Sequence, residues 1–329
     1  MKKEKEKLLV LELWGLGDLA MVHDFIKTAS GRFQVTLIAK PHAETVCRRF
    51  WPEVELVPFT APWTAFRGKY KLWRWPWRSM REMFAGLRSE RFDAAVSARM
   101  DPRDHWVMWR SGARRRIGFP KAGGGLLLTD RLSFPKGLRH RYEHWRDIAV
   151  SLGLEMPLFG DFQRKRMAAA NSRIVMHTGA ARDTRVWPLQ RYLELAKRLR
   201  SAGREVDLLC DERQRARLEE LGEAAPIVPA SIEELLQRLE VSSAFVGNDS
   251  GPGHWAAVMG VPTFTVYGPV TPRMFGPLHS MATAVEGAPC PHKPCYDTCR
   301  YSVNRCMEDV DVDQVWGALE GFLERIQSS

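Results

Sequence analysis

Residues 8–13 form a short, almost continuously apolar run that stops at Trp14-Gly15-Leu16-Gly17-Asp18, and residues 19–28 then carry apolar side chains at helical spacing. Strand, glycine turn and helix are the elements this pattern predicts. Residues 33–39 and 92–97 predict further strands, which fit an alternating β/α plan with buried parallel strands. Between them lies a stretch, 67–81, crowded with Lys and Arg and with Trp73, Trp75 and Trp77, just after Trp63. Residues 135–155 predict a loop and a helix leading to Pro157, and residues 160–170 read as a linker.

The plan then starts again. Strands are expected at 174–177, 206–210, 244–246 and 263–267, and helices at 188–201, 212–221, 231–238 and 254–259. Ser231 with Glu234 three residues on has the form of a capping box. A last amphipathic helix spans 312–326. Two successive β/α halves joined by a linker predict an α/β chain of two Rossmann-like lobes facing an interdomain cleft, residues 1–165 and 166–329. In such folds ligands gather at the carboxyl ends of the strands.

Size agrees with this division, since 329 residues with 45% apolar content suffice for two domains that each bury a core. The N-terminal seven residues carry charges of both signs, and Glu12 and Asp18 break the following apolar run too early for a signal core or a membrane span. A soluble, unexported protein of the cytoplasm is the expectation.

Charge distinguishes the halves. The chain carries +10, yet residues 1–150 hold 29 Lys and Arg against 16 Asp and Glu, and the remainder holds 20 against 23. The whole surplus lies in the first half, which suits an anionic partner there: nucleic acid, a phosphorylated glycan or a lipid surface.

Gly15-Leu16-Gly17-Asp18-Leu19-Ala20 satisfies G-x-G-x-x-A after a strand and so raises dinucleotide binding. Two features oppose it. Ala39-Lys40-Pro41 stands where an acidic ribose ligand belongs, and Asp18 would put a carboxylate where a pyrophosphate must sit. Asp18 is then either a general base at the mouth of a cleft or a helix N-terminal cap.

Two further strand-to-helix turns carry chemistry. In Gly247-Asn248-Asp249-Ser250-Gly251-Pro252-Gly253-His254, backbone N–H groups and a positive helix end converge, as in a diphosphate cradle. Ser250 and His254 can add donors, and Asp249 can orient the turn. In His177-Thr178-Gly179-Ala180-Ala181-Arg182-Asp183-Thr184-Arg185-Val186-Trp187-Pro188, Arg182 and Arg185 stand at a strand's carboxyl end. A guanidinium there can clamp phosphate through two oxygens, or simply be solvated.

Taken in order, Gly-Leu-Gly-Asp near the start, His-Thr-Gly with Arg and Trp-Pro at mid-chain, then Gly-Asn-Asp-Ser-Gly-Pro-Gly-His-Trp-Ala-Ala and Val-Tyr-Gly-Pro-Val-Thr-Pro resemble glycosyltransferase family 9, the ADP-heptose:lipopolysaccharide heptosyltransferases. The resemblance spans nearly the whole chain and is most specific over 247–272. It implies a GT-B fold and an inverting transfer that needs no cofactor. The implied donor is ADP-heptose and the implied acceptor an anionic inner-core glycolipid. By position Asp18 matches the family's base, with Gly17 and Asp18 toward the acceptor. Thr178, Gly179, Arg182, Arg185 and the turn of Asp249, Ser250, Gly251, Gly253 and His254 fall on the donor side. Glu212 falls near the carboxylate that holds the donor ribose. Arg185 stands where the family usually has lysine, and Ser250-Gly251-Pro252-Gly253 departs from the commoner Thr-Gly form. Rival readings are a GT-B-like sugar-nucleotide epimerase and a binding protein that has lost its chemistry.

Two features lie outside these turns. Cys290, Cys295, Cys299 and Cys306 can ligate a tetrahedral zinc or an iron as a structural site, or remain reduced thiols; His292 is an alternative ligand. The basic, tryptophan-rich residues 63–81 suit contact with the headgroups of an inner-membrane surface, although several of the indoles fit a core equally well. No nucleic-acid-binding module accompanies them.

Overall fold

The computed structural model describes residues 5–65, 71–134, 137–162, 164–167, 172–296 and 298–328. The chain divides into two compact units, 1–157 and 158–329. The division falls ahead of the expected 165/166. Arg164 Nε already donates to the Leu278 carbonyl at 3.2 Å, and the Lys165 carbonyl lies so near Gly260 that a Cβ there would meet it at 2.5 Å. This short stretch therefore packs with the second unit.

The first unit holds a parallel sheet of β1 (Lys7–Glu12), β2 (Gln34–Ala39), β3 (Glu55–Pro58), β4 (Ala94–Ser97), β5 (Arg115–Gly118) and β6 (Asp130–Arg131) in the order β3-β2-β1-β4-β5-β6. Leu8 pairs with Val35 on one side and Ala94 on the other. Strand order therefore reverses at β1/β4, the switch point where crossover helices diverge and leave a crevice beyond the strand ends. The second unit repeats this with β7 (Arg173–His177), β8 (Glu205–Leu209), β9 (Ala244–Asn248), β10 (Thr263–Tyr267) and β11 (Thr283–Glu286) in the order β11-β10-β9-β7-β8. Its switch point lies at β7/β9, where His177 pairs with Gly247.

Both sheets are buried as the uninterrupted apolar runs require. Leu9, Leu11, Trp63, Phe84 and Phe92 share one core, and Ile174, Met176, Trp187, Leu195, Val246, Phe264 and Phe322 the other. Each such side chain contributes about 1.5–3 kcal/mol when fully removed from water. The last helix, Val312–Gln327, joins the second core through Val315, Leu319 and Phe322.

Several elements differ from expectation. The first helix is two, Leu16–Met21 and His23–Arg32, and it starts early because the Asp18 carboxylate reaches back to accept the Gly15 N–H at 3.2 Å. At Ser231 half of the capping box forms: Ser231 Oγ accepts from the Glu234 N–H, but Glu234 reaches one residue further back, to the Ala230 N–H at 2.7 Å. Strands β3, β5, β6 and β11 are short and carry charged residues, so their apolar pattern is too weak to announce them.

Candidate active site

At the first switch point β1 ends in Glu12, and the glycine turn places Asp18 in the third position of helix Leu16–Met21. From the neighbouring strand end, two residues past β4, Arg99 reaches both carboxylates. Its Nη2 donates to Asp18 Oδ1, its Nε stands 3.7 Å from Glu12 Oε1, and its guanidinium lies 4.4 Å over the Trp14 ring. Arg141, at the start of helix Arg141–Ser151, is buried and donates to the Ala98 carbonyl at 2.8 Å.

Burial governs the charge states here. It is the main cause that pushes Glu12 up to about 7, with Asp18 adding and Arg99 and Arg141 opposing. Burial, with Arg99 as neighbour, lowers Arg141 to about 10, which leaves it charged at neutral pH. Burial also lowers Lys40, at the end of β2, against the pull of Asp18. Asp104 accepts from Trp63 Nε1 and Ser97 Oγ, and burial followed by Asp101 raises it to about 6. The cluster thus sets one carboxylate, Asp18, about a quarter exposed, over a buried bed of charges.

At the second switch point the ends of β7 and β9 are tied by Asn248, whose Nδ2 donates to the Thr178 carbonyl at 2.8 Å and whose Oδ1 accepts from the Trp187 N–H at 2.9 Å. Asp249 sits between two basic groups: Oδ2 is 3.0 Å from Arg185 Nη1 and Oδ1 is 3.6 Å from His254 Nε2. Ser250 is the N-cap residue of helix Gly251–Val258, yet its Oγ makes no cap bond. Ser250 Oγ and His254 Nδ1 are buried without a hydrogen-bond partner among the described residues. Polar groups left open at a helix N-terminus suit an anionic ligand, which the partial positive charge there stabilises by roughly 0.3–1 kcal/mol, up to about 2 when partly buried.

Two glycines in these turns are in close contact. A Cβ at Gly179 would meet the Asp211 carboxylate, the movable end of that side chain, at 2.6 Å, and one at Gly253 would meet the fully buried Phe245 ring at 2.9 Å. Gly253 is therefore explained by close packing of the helix on β9.

The structure gathers Thr178, Gly179, Asp249, Ser250, Gly251, Gly253 and His254 at one pair of strand ends, with Arg185 brought in by its contact to Asp249. Arg182 precedes the short turn Asp183–Arg185. Gly17 and Asp18 belong to the first unit. Glu212 opens helix Glu212–Glu220 with its side chain 73% exposed and 3.4 Å from Arg215, whereas Asp211 beside it faces Gly179 and caps the helix. Thr178 Oγ1 donates to Gln214 Oε1 at 2.9 Å, which ties the same helix to the β7 turn. Sequence pattern missed Arg99, Arg141 and the role of Glu12; a charged residue ending a buried strand was the available signal.

Elsewhere, Trp63 is a core residue, which corrects its placement in a membrane-facing stretch: its indole N–H is satisfied by buried Asp104 at 3.1 Å. Cys290, Cys295, Cys299 and Cys306 line one small cavity together with His292. Among the described residues no group of three or more His, Cys, Asp or Glu side chains stands in a metal-holding arrangement, and no helix is long and apolar enough to cross a membrane.

Two parallel α/β units, each with a polar cluster at its switch point, have the architecture of GT-B glycosyltransferases. The model of glycosyltransferase family 9 (heptosyltransferase) matches residues 80–303, and the chain belongs to that family. It is 32% identical over 177 residues to lipopolysaccharide heptosyltransferase 1 of Pseudomonas aeruginosa, a match that covers 50% of this chain and 49% of that protein. The matched stretch thus spans about half the length of that relative. The fold is similar to E. coli ADP-heptose lipopolysaccharide heptosyltransferase II, with TM-score 0.73 and 20% identity over 98% of this chain and 99% of the other. It is similar also to E. coli heptosyltransferase WaaC solved with ADP, with TM-score 0.72 and 18% identity over 97% and 99%.

Proposed function

We propose that the chain is an inverting glycosyltransferase that moves heptose, or a closely related sugar, from an ADP-sugar onto an inner-core lipopolysaccharide-type acceptor. The observation that carries this reading is the turn at β9: Asp249 aligns Arg185, while Ser250 Oγ and His254 Nδ1 have no hydrogen-bond partner among the described residues and stand at a helix N-terminus. That is a site for a departing diphosphate. Membership of the family and the names of its relatives, which include ADP-heptose and lipopolysaccharide, support the choice of sugar and acceptor.

In the proposed reaction an acceptor hydroxyl gives its proton to Asp18, and its oxygen attacks the anomeric carbon on the face opposite the leaving group. The bond from that carbon to the diphosphate oxygen breaks with both electrons going to oxygen, so the anomeric configuration inverts. Arg185 and the helix N-terminus meet the charge where it develops, which costs no reorganisation at the moment of reaction. Catalysis through these groups uses no cofactor. Thr178, Gly179, Arg182 and Gly251 line the donor side of the reading. Either Glu212 or its neighbour Asp211 would face the ribose, with Asp211 favoured by its turn toward Gly179.

Two finer points belong to the same proposal. The first unit meets the acceptor at the cytoplasmic face of the inner membrane as a peripheral protein. The tail thiols hold a structural zinc or iron; what supports this is that Cys290, Cys295, Cys299 and Cys306 line one small cavity together. Bound metal near one equivalent per chain is the expected assay result, and four free titratable thiols in metal-free, fully folded protein would remove the claim.

The deciding experiment is a thermal-shift panel of ADP-, GDP-, UDP- and CDP-sugars with the Asp18→Asn variant alongside. A true donor at 100 times its Kd stabilises the fold by about 2.7 kcal/mol. ADP-heptose should do so for both proteins, and turnover of Asp18→Asn should fall by roughly 10² or more. Parent-level turnover in that variant removes Asp18 as the base.

A further inference from the structure

Glu12 is the last residue of β1, 1% exposed, and neither of its carboxylate oxygens has a hydrogen-bond partner among the described residues. A buried carboxyl left in that state calls for a reason. Its nearest cation is Arg99, whose Nε is 3.7 Å from Oε1 while Nη2 of the same guanidinium donates to Asp18. That guanidinium lies over the Trp14 ring, 4.4 Å from its centroid. It is thus within reach of both carboxylates but hydrogen-bonds only Asp18 of the two, its Nε being left without a bond among the described residues.

We propose that Glu12 is a positioning residue for Asp18: the two carboxylates share Arg99, and the charge on Glu12 sets how firmly the guanidinium holds the base. The inference rests on the reading of Asp18 as the base. A carboxylate held by a guanidinium accepts a proton reluctantly, because the cation stabilises its ionised form. When Glu12 is ionised, Arg99 is divided between two anions and a like charge stands beside Asp18. Both changes ease the arrival of a proton on Asp18. When Glu12 is protonated, Arg99 belongs to Asp18 alone and the base is muted.

The other charged groups facing Glu12 are Arg141 from helix Arg141–Ser151, Asp104 from helix Pro102–Arg110 and, through the Asp18–Arg99 pair, Lys40 from the end of β2. His105 Nε2 faces the Arg99 carbonyl at 3.3 Å. Burial and Asp18 outweigh the two arginines and bring Glu12 to about 7, so its charge changes across neutral pH. The acid limb of kcat/KM then reports the Glu12–Asp18 pair as a unit.

The test is the pH profile of kcat/KM in the parent, Glu12→Gln and Glu12→Asp, with donor affinity measured in parallel. The parent should lose activity below about pH 7. Glu12→Gln should run about tenfold slower above that limb, the equivalent of one pKa unit, with the limb near neutrality gone and donor Kd unchanged. Glu12→Asp should restore a limb. A Glu12→Gln variant with the parent's rate and profile overturns the proposal. Should Glu12→Gln fail to fold, carboxyl carbon NMR of Glu12 in the Asp18→Asn variant decides: its titration midpoint should fall once the like charge is gone, and an unmoved midpoint overturns the coupling. Asp18→Asn turnover at the parent rate would instead sink the reading of Asp18 while the titration still reports the Glu12–Asp18 contact, so the two failures are told apart.

Discussion

Arg185 Nη1 lies 3.0 Å from Asp249 Oδ2, and Asp249 is the more deeply buried of the pair. The carboxylate therefore does two things: it holds the guanidinium in position and it depends on it for compensation. Arg185→Ala should weaken donor binding and departure of the diphosphate by about 2–4 kcal/mol. It should also lower stability, by roughly 1–3 kcal/mol, because Asp249 is left short of a partner and Arg185 is itself about a quarter exposed. Arg185→Ala/Asp249→Asn separates the two effects. Urea unfolding should show stability largely recovered, while calorimetry with donor should show affinity still lost. Recovery of both would make Arg185 a structural residue only, and Arg185→Lys should retain much of the affinity.

His144 supplies a second expectation, in the acid limb of stability. Its ring packs against Phe119 and Phe134, with centroids 5.3 and 4.8 Å away, and neither ring nitrogen has a hydrogen-bond partner among the described residues. Burial first, then Arg141 and Arg139, lowers it to about 3 from the ordinary 6.5. The native chain thus binds fewer protons than the unfolded chain between these values, so the stability this group contributes is complete above 6.5 and declines as pH falls toward 3. Glu12 has the opposite sign, since its value is raised: its contribution is complete below 4.5 and declines as pH rises through about 7. In His144→Phe the acid penalty disappears. Relative to the parent, the variant should gain about 2 kcal/mol between pH 7 and pH 5. Parallel stability curves for the two proteins over that range would contradict the assignment.

Turns were more legible than neighbours. The turns that hold Asp18, Asp249, Ser250 and His254 could be placed because strand, glycine turn and helix follow one another along the chain, so the candidates sit within a few residues of the signal. Arg99 and Arg141 could not, because their meeting with Glu12 depends on β1 pairing with β4 across some eighty intervening residues, and a period of two or 3.6 says nothing about which strands are adjacent. Glu12 itself read as an interruption of an apolar run. Glu212 was placed from resemblance alone, and nothing in the pattern signalled that its neighbour Asp211 lies against Gly179 beyond the end of β7. Tryptophans lie beyond pattern for another reason: Trp63 and Trp73 differ by burial, which depends on whether a partner such as Asp104 awaits the indole N–H.

That difference sharpens the expectation for a lipid surface. Trp73 is 76% exposed, Leu72 beside it 52% and Trp77 40%, while Trp75 packs between Trp63 and Trp77 with ring centroids 5.4 Å from each. An exposed indole beside Leu72 can settle among headgroups, whereas Trp75 is attached to the core. Among the neighbouring cations Arg78 already pairs with Glu82 at 3.1 Å, so Lys71 and Arg74 should supply more of the attraction; Lys69 lies outside the described residues. Cosedimentation with anionic vesicles should be clear at low salt and fade as the screening length shrinks from ~10 Å at 0.1 M to ~3 Å at 1 M. Lys71→Gln/Arg74→Gln should weaken it by ~1 kcal/mol for each residue. Trp73→Ala should weaken it further with little dependence on salt and no change in melting temperature. Trp75→Ala should behave in the reverse way, lowering the melting temperature because it leaves a gap beside Trp63. Turnover on a short, water-soluble acceptor fragment should survive the Lys71, Arg74 and Trp73 changes, since none of them touches Asp18 or the β9 turn. Vesicle binding that persists in the triple variant would place the contact on another face, and a parent that never binds vesicles would point to an acceptor met in solution.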